Sequence, residues 1–536
     1  MGFQVQDGSD TAEGSRGSGP QSWRRRAGKT RSRFSRYLVG GSTLVVALAL
    51  VVYGPARVAA AATTGTAVDL TGSSFLSGVA CPAATTCEAV GFDQGTAQTG
   101  VLAPITVSTA STSEGALTAG IAVPASASGS IGPLSGVACP SAGECLAVGV
   151  DAPSGADGVV LPFSVGTGGT PSPGAALGTN GVAVAGGALY GISCPSSTLC
   201  VAVGSVDNSA ATDGIEGLVL PITASGSSWS LGTPTAVSAA GTFFGVACPT
   251  TSSCQVVGVV PSGAQGVAVP LTVSSGSVSA GTAALGSSGT EFFSVSCASS
   301  SDCVLVGNSY DSTTGDSTAL AAPITETTGT SGPADTVSTV VPVGFSGATT
   351  GEAVTGGLYG VVCPGTTECG GVGIYTAVAT STSSGVVASL TQPLTSASAP
   401  SAVGAAGTGF LTAAACAGAP SGSTTDNCVA VGQDPSVTDG VAFPFAVTVS
   451  APVGPAAQLS NLLSAVAGVG PGKSFAAKVS AAQSAYATGN VTVTCNVLGA
   501  FVNEVSAQSG VSITATEAST LESQAAATET ALGCSG

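Results

Sequence analysis

The stretch Leu189-Tyr190-Gly191-Ile192-Ser193-Cys194-Pro195-Ser196-Ser197-Thr198-Leu199-Cys200-Val201-Ala202-Val203-Gly204 decides how this chain is read. A short apolar run enters a cysteine, a small polar loop follows, and a second cysteine opens a run ending in valine and glycine. The phrase occurs seven times between Cys81 and Gly432. Its first cysteines are Cys81, Cys139, Cys194, Cys248, Cys297, Cys363 and Cys416, spaced 58, 55, 54, 49, 66 and 53 residues apart. Its second cysteines are Cys87, Cys145, Cys200, Cys254, Cys303, Cys369 and Cys428, each enclosing five residues with its partner except the last, which encloses eleven.

Leu or Phe stands five residues before each first cysteine, at Leu76, Leu134, Leu189, Phe243, Phe292, Leu358 and Leu411. Gly, Ala and Ser alternate on its face, so one side of this strand is slim and suits a crowded central axis. The glycines Gly91, Gly149, Gly204, Gly258, Gly307, Gly373 and Gly432 close a second strand in every copy. Their agreement calls for either a positive φ or close strand packing. A third apolar stretch, as in Val159 to Val165 or Val267 to Val273, often contains proline, and a weaker fourth stretch precedes the next copy.

Four short strands per copy at this period predict a mainly β fold, a seven-bladed β-propeller with one disulfide per blade, followed by a small all-α domain. The last copy lacks a clear fourth strand, and the segment Gly65 to Thr71 is placed to supply it and close the ring. A solenoid would need capping repeats, and none is evident.

Sixteen cysteines, all pairable, suit an oxidising compartment. Zinc is disfavoured, since the chain has no His and its cysteines lie too far apart for the usual ligand spacing. Seven cations from Arg24 to Arg36 precede the uncharged stretch Tyr37 to Ala56, and small residues follow at Ala59 to Ala62. Residues 1–36 therefore read as a basic cytoplasmic leader and 37–62 as a signal peptide or an uncleaved signal-anchor helix. The propeller is expected over 63–450 and the helical domain over 455–536. The chain is expected to be secreted or at the cell surface, with membrane contact only through that N-terminal segment.

All eight arginines lie at or before Arg57, and beyond it 25 acids face two lysines, a formal charge of −23. Nucleic acid is excluded as a natural partner, because phosphate binding needs the Lys and Arg clusters missing here. Without His, neither a Ser-His-Asp nor a Cys-His arrangement can form. Asp93, Asp151, Asp157, Asp207, Asp213, Asp311, Asp316, Asp434 and Asp439 fall in loops after the second strands, which a propeller gathers on one rim. A carboxylate ring there could hold Ca²⁺, the one cofactor to be considered; turn chemistry is the competing account. No catalytic residue is assigned, and a hydrolase using these acids is a third reading. The leading one is a non-enzymatic scaffold binding an unknown extracellular protein or surface component, with a calcium- or glycan-binding propeller as the alternative.

After Pro455 the spacing becomes helical, with helices expected over Gln458 to Val466, Ser474 to Thr488, Val491 to Gln508 and Ala515 to Leu532. Val491, Cys495, Leu498, Val502 and Val505 are expected to form one apolar face. Thr514 and Glu517 make a capping box, Cys495 and Cys534 can tie the third helix to the chain's end, and Lys473 with Lys478 reads as a solvated helix start.

The copies resemble a Cys-Pro-Ser-rich repeat of exported bacterial proteins, as in Gly191-Ile192-Ser193-Cys194-Pro195-Ser196-Ser197 with Cys200-Val201-Ala202-Val203-Gly204. That resemblance implies location and a propeller-like fold without activity. Of the tryptophans such repeats carry near the fourth strand, only Trp229 is present. The tail resembles the FIMAH module of secreted bacterial proteins in Gly489-Asn490, Thr494-Cys495-Asn496, Leu498, Ala500-Phe501-Val502-Asn503, Val505, Ala507-Gln508-Ser509-Gly510 and Leu532-Gly533-Cys534. It brings no catalytic assignment.

Overall fold

The computed structural model describes residues 66–534 apart from 95–97, 109–115, 127–128, 152–156, 210, 212–213, 227, 262–264, 275, 300–301, 312, 314–315, 330–331, 347–353, 378–381, 395–400, 405–408, 419–423, 435–438, 450–454, 467–468, 471–472 and 533. The expected leader and export segment lie outside these residues. Among the described residues no helix is long and apolar enough to cross a membrane.

The seven copies form seven sheets whose four successive strands are antiparallel; in the sixth, Gly344–Ser346 adds to the outer strand Ser401–Gly404 in parallel. In the third blade these are Gly187–Ser196, Leu199–Asp207, Ile215–Ser225 and Ser228–Leu231. Each first strand packs against that of the next blade, and the seventh, Phe410–Cys416, packs against the first, Phe75–Ala83, so the ring is closed. The closing strand is Val68–Leu70, antiparallel to Asp439–Thr448, with Val68 opposite Ala442 and Leu70 opposite Gly440. The last blade is thus built from both ends of the ring, as expected, and a solenoid is excluded.

One bulge recurs in every blade. The first-strand register skips a residue immediately after the Leu or Phe, for example between Leu76 and Gly78 and between Leu189 and Gly191. The second-strand glycine sits opposite that Leu or Phe, and its φ is not positive, so close packing is the demand it meets. A Cβ on Gly91 would stand 1.9 Å from the Phe75 carbonyl oxygen. The bulge also corrects the slim-face expectation. Simple alternation fails after the Leu or Phe, whose side chain turns into the blade core and is fully buried in Leu76, Leu189 and Phe243. The small residue two positions later meets the neighbouring inner strand instead, as Gly78 meets Gly136.

Third-strand prolines are not edge residues, since Pro221 pairs with Val201 inside the sheet. Proline has no N–H to offer the fourth strand, and the fourth strand breaks there: Ser228–Leu231 and Thr235–Val237 both pair with Ile215–Ser225. Gly232 lies in that gap and donates its N–H to the Pro221 carbonyl.

Every propeller disulfide forms at the hairpin between first and second strands: 81–87, 139–145, 194–200, 248–254, 297–303, 363–369 and 416–428. The chain ends in helices α1 (Pro455–Ala465), α2 (Ser474–Ala487), α3 (Val491–Gln508) and α4 (Ala515–Leu532). Cys495 in α3 is bonded to Cys534, and the Thr514 and Glu517 side chains cap α4 reciprocally. The buried face of α3 is Thr494, Leu498, Phe501 and Val505, rotated from the expected one, and Val491 is exposed. Phe501 selects that face by packing edge-on against Phe475. Lys478 is not merely solvated, because its Nζ lies 2.6 Å from Glu504 Oε2.

Candidate functional site

The bulge shapes the centre of the ring: the extra residue and the two after it line a central channel of about 160 Å³. The extra residues are Ser77, Ser135, Tyr190, Phe244, Phe293, Tyr359 and Thr412. They lie toward the end where first strands begin and second strands end, opposite the disulfide hairpins, as the pairing of Phe75 with Phe92 requires. Four successive blades contribute aromatics there, and three contribute hydroxyls.

The aromatics form a continuous run around one side of the mouth. Ring centroids are 5.8 Å apart for Tyr190 and Phe244, 5.7 Å for Phe244 and Phe293, and 4.9 Å for the stacked pair Phe293 and Tyr359. Phe410 meets Tyr359 edge-on at 5.1 Å and Phe75 at 5.8 Å, carrying the run across the closure seam. On the same seam, Thr412 Oγ1 lies 2.7 Å from the Leu76 carbonyl and 3.0 Å from that of Val431.

Glu291 brings a carboxyl to the aromatic side. Burial pushes it above the usual carboxylate range, opposed by a hydrogen bond from Asn308, its register partner. Burial, then the Glu291 charge, raises the Tyr359 phenol, so Tyr359 stays a neutral hydroxyl at any physiological pH. An arc of ring faces with one carboxylate and no cation attracts apolar and positively charged groups.

No protein-family model matches the chain, and no curated protein matches it. Solved structures similar to it include the N-terminal domain of Nup159, at 9% identity over 73% of this chain and 96% of that one, with a TM-score of 0.34. A protein of unknown function from Dyadobacter fermentans gives 12% identity, 73% and 100% coverage and a TM-score of 0.37. Tricorn protease gives 8% identity over 87% of this chain and 42% of that chain, with a TM-score of 0.35. None of these bears on what the chain does.

The described rim aspartates lie at strand ends and in the turns beside them, and three pairs of them each stay within a single blade. Asp151 and Asp157 bracket one loop, where the Asp157 N–H donates to Asp151 Oδ1, and Asp157 Oδ1 accepts from the Gly186 N–H. Asp311 and Asp316 bracket another, and Asp311 Oδ1 accepts from the Thr313 N–H, an Asx turn. Asp434 and Asp439 face each other across a third. With burial as the larger cause, they push the Asp69 carboxyl up from the closing strand. Asp93 accepts from Ser74, Asp207 ends its strand exposed, and Asp213 lies outside the described residues.

Among the described residues, the sole cluster of three or more Cys, Asp or Glu ligand atoms within 4.8 Å is Cys416, Asp426 and Cys428. Its two cysteines are bonded to each other and are not free ligands. Sequence reasoning missed the aromatic arc, although the signal was present: the residue after each repeated Leu or Phe always precedes a small one.

Proposed function

We propose that this chain is an exported, non-enzymatic scaffold that binds a protein of the extracellular or cell-surface environment at the mouth of its central channel. The observation that supports this most directly is the aromatic run from Tyr190 to Phe75, set beside Glu291 at a mouth completed by Ser77, Ser135 and Thr412. Rigid aromatics at a concave centre are what protein interfaces use as anchors. The formal charge of −23 beyond Arg57 favours a cationic partner segment, drawn in by long-range attraction and held over ring faces. Export rests on the basic leader, the apolar segment and the paired cysteines. The likeness to Cys-Pro-Ser repeats and to the FIMAH module points the same way.

A photo-cross-linking residue placed at Ser135 should capture a discrete partner on intact producing cells, whereas one at Thr198, on the disulfide face, should not. Phe293→Ala and Glu291→Gln should weaken that capture without altering the melting temperature by more than a few degrees. Equal capture from both faces would sink this reading. Fractionation of cells and medium tests export separately.

A further inference from the structure

Each blade meets the next along a seam whose chemistry repeats. The second-strand residue following the second cysteine faces a cross-strand pair near the end of the next blade's third and fourth strands. At two seams this threesome is apolar: Val201 packs with Val273 and Val278, and Val429 with Val107 and Leu117. At the seam between the fourth and fifth blades all three positions are polar, namely Gln255, Glu326 and Asp335. Glu326 and Asp335 are direct cross-strand partners, a pairing that brings like charges side by side.

The seam is short of positive charge. Gln255 is 1% exposed and Asp335 8%, yet no Lys or Arg occurs between Val58 and Gly472. Gln255 Nε2 and Ser253 Oγ both donate to Glu326 Oε2 at 3.1 Å. Gln255 Oε1 and both carboxylate oxygens of Asp335 are buried and none makes a hydrogen bond of ordinary geometry; the one donor near Asp335, the Gln255 amide, is engaged by Glu326. Burial pushes the Asp335 carboxyl up to about 7; the Gln255 amide beside it opposes this rise and the Glu326 charge adds to it. Orphaned buried acceptors are costly; the Gln255 amide presents its Nε2 to Glu326, and turning it over would set Oε1 on the side of the Glu326 and Asp335 pair.

We propose that this seam is a Ca²⁺ site, with Gln255 Oε1, the Asp335 carboxylate, Glu326 and Ser253 Oγ as its protein ligands. Two carboxylates, an amide carbonyl and a hydroxyl form an all-oxygen set for a hard cation, and the half-buried Glu326 leaves a side open for water to complete six to eight ligands. Mg²⁺ fits less well, since it demands a tight octahedron and keeps most of its water. The ion would bridge the second strand of the fourth blade to the outer strands of the fifth.

The test uses the full chain freed of metal with chelator. Calorimetric titration with CaCl₂ should show one site, and Ca²⁺ should raise the melting temperature by several degrees, reversibly on chelation, where equal Mg²⁺ does not. Asp335→Asn and Glu326→Gln should each abolish both effects, and Asp311→Asn on the rim should leave them intact. A Gln255→Val, Glu326→Val, Asp335→Val triple variant copies the Val201 seam and should fold without binding Ca²⁺. The proposal is overturned if the wild-type chain shows neither heat nor a melting shift. Binding that survives in the triple variant overturns it equally.

Discussion

Gly204 lies so close against the carbonyl of Ala188 that a Cβ there would stand 1.8 Å from that oxygen. The oxygen belongs to backbone, so the obstruction cannot rotate away. Gly204→Ala should therefore cost about 3 kcal/mol, the upper end for forced overpacking, and lower the urea midpoint accordingly. Gly143, in a hairpin where an added Cβ would meet nothing within 4 Å, is the control. Gly143→Ala should change stability by less than about 1 kcal/mol, on the stabilising side. Equal effects at both positions would remove the packing account of the repeated glycine.

Leu70 holds the ring shut. It is fully buried in a cluster with Leu76, Val79 and Ala442, joining the first and last blades. Leu70→Ala should cost about 3 kcal/mol. Hydrogen exchange should show the loss first in the amides of Gly440 to Ala442, which face the closing strand. If exchange instead quickens evenly around the ring, closure is not the weak point.

These two residues show what sequence alone could and could not supply. Ring closure was legible because a missing strand in the last copy and a spare one before the first are both matters of pattern. The glycine was legible as a demand, but its cause was not, since close approach and positive φ leave the same trace in one sequence. The channel mouth was hidden for the same reason: a bulge shifts the two-residue period by one, and Tyr190, Phe244, Phe293 and Tyr359 read by alternation point elsewhere. The oxygen-rich seam was hidden more deeply, because Gln255 and Asp335 stand 80 residues apart and only blade-to-blade packing joins them.

Disulfides of different span should differ in value. A pair such as Cys81 and Cys87 closes a short loop worth about 2 kcal/mol by chain entropy, whereas the longer span between Cys495 and Cys534 is worth about 4 kcal/mol. Replacing Cys495 and Cys534 together by Ser should lower the unfolding midpoint of α1–α4 more than the same change at Cys81 and Cys87 lowers that of the propeller. Circular dichroism at 222 nm follows the helices, and hydrogen exchange read by mass spectrometry under denaturant follows each blade. The opposite ranking would mean that native packing outweighs loop entropy in setting their value.

Glu88 should make the first blade sensitive to pH. It occupies the position that Leu146 and Val201 fill in the next two blades, is fully buried, and has no donor on either carboxylate oxygen. Burial pushes its carboxyl up to about 8, so the folded chain keeps a proton that the unfolded chain releases near the ordinary value of 4.5. Stability from this group is therefore fully present below about pH 4.5 and is lost as pH rises towards 8, at up to about 1.4 kcal/mol per unit. Asp335 and Asp426, raised to about 7 and about 6 by burial, act in the same direction, so the informative quantity is the difference between wild type and variant. Glu88→Leu, copying Leu146, should narrow the loss of stability between pH 5 and pH 8 by on the order of 3 kcal/mol in guanidinium titrations. An unchanged gap would show that water or a local opening already solvates the charged carboxylate, and that the seam between the first two blades is looser than its packing implies.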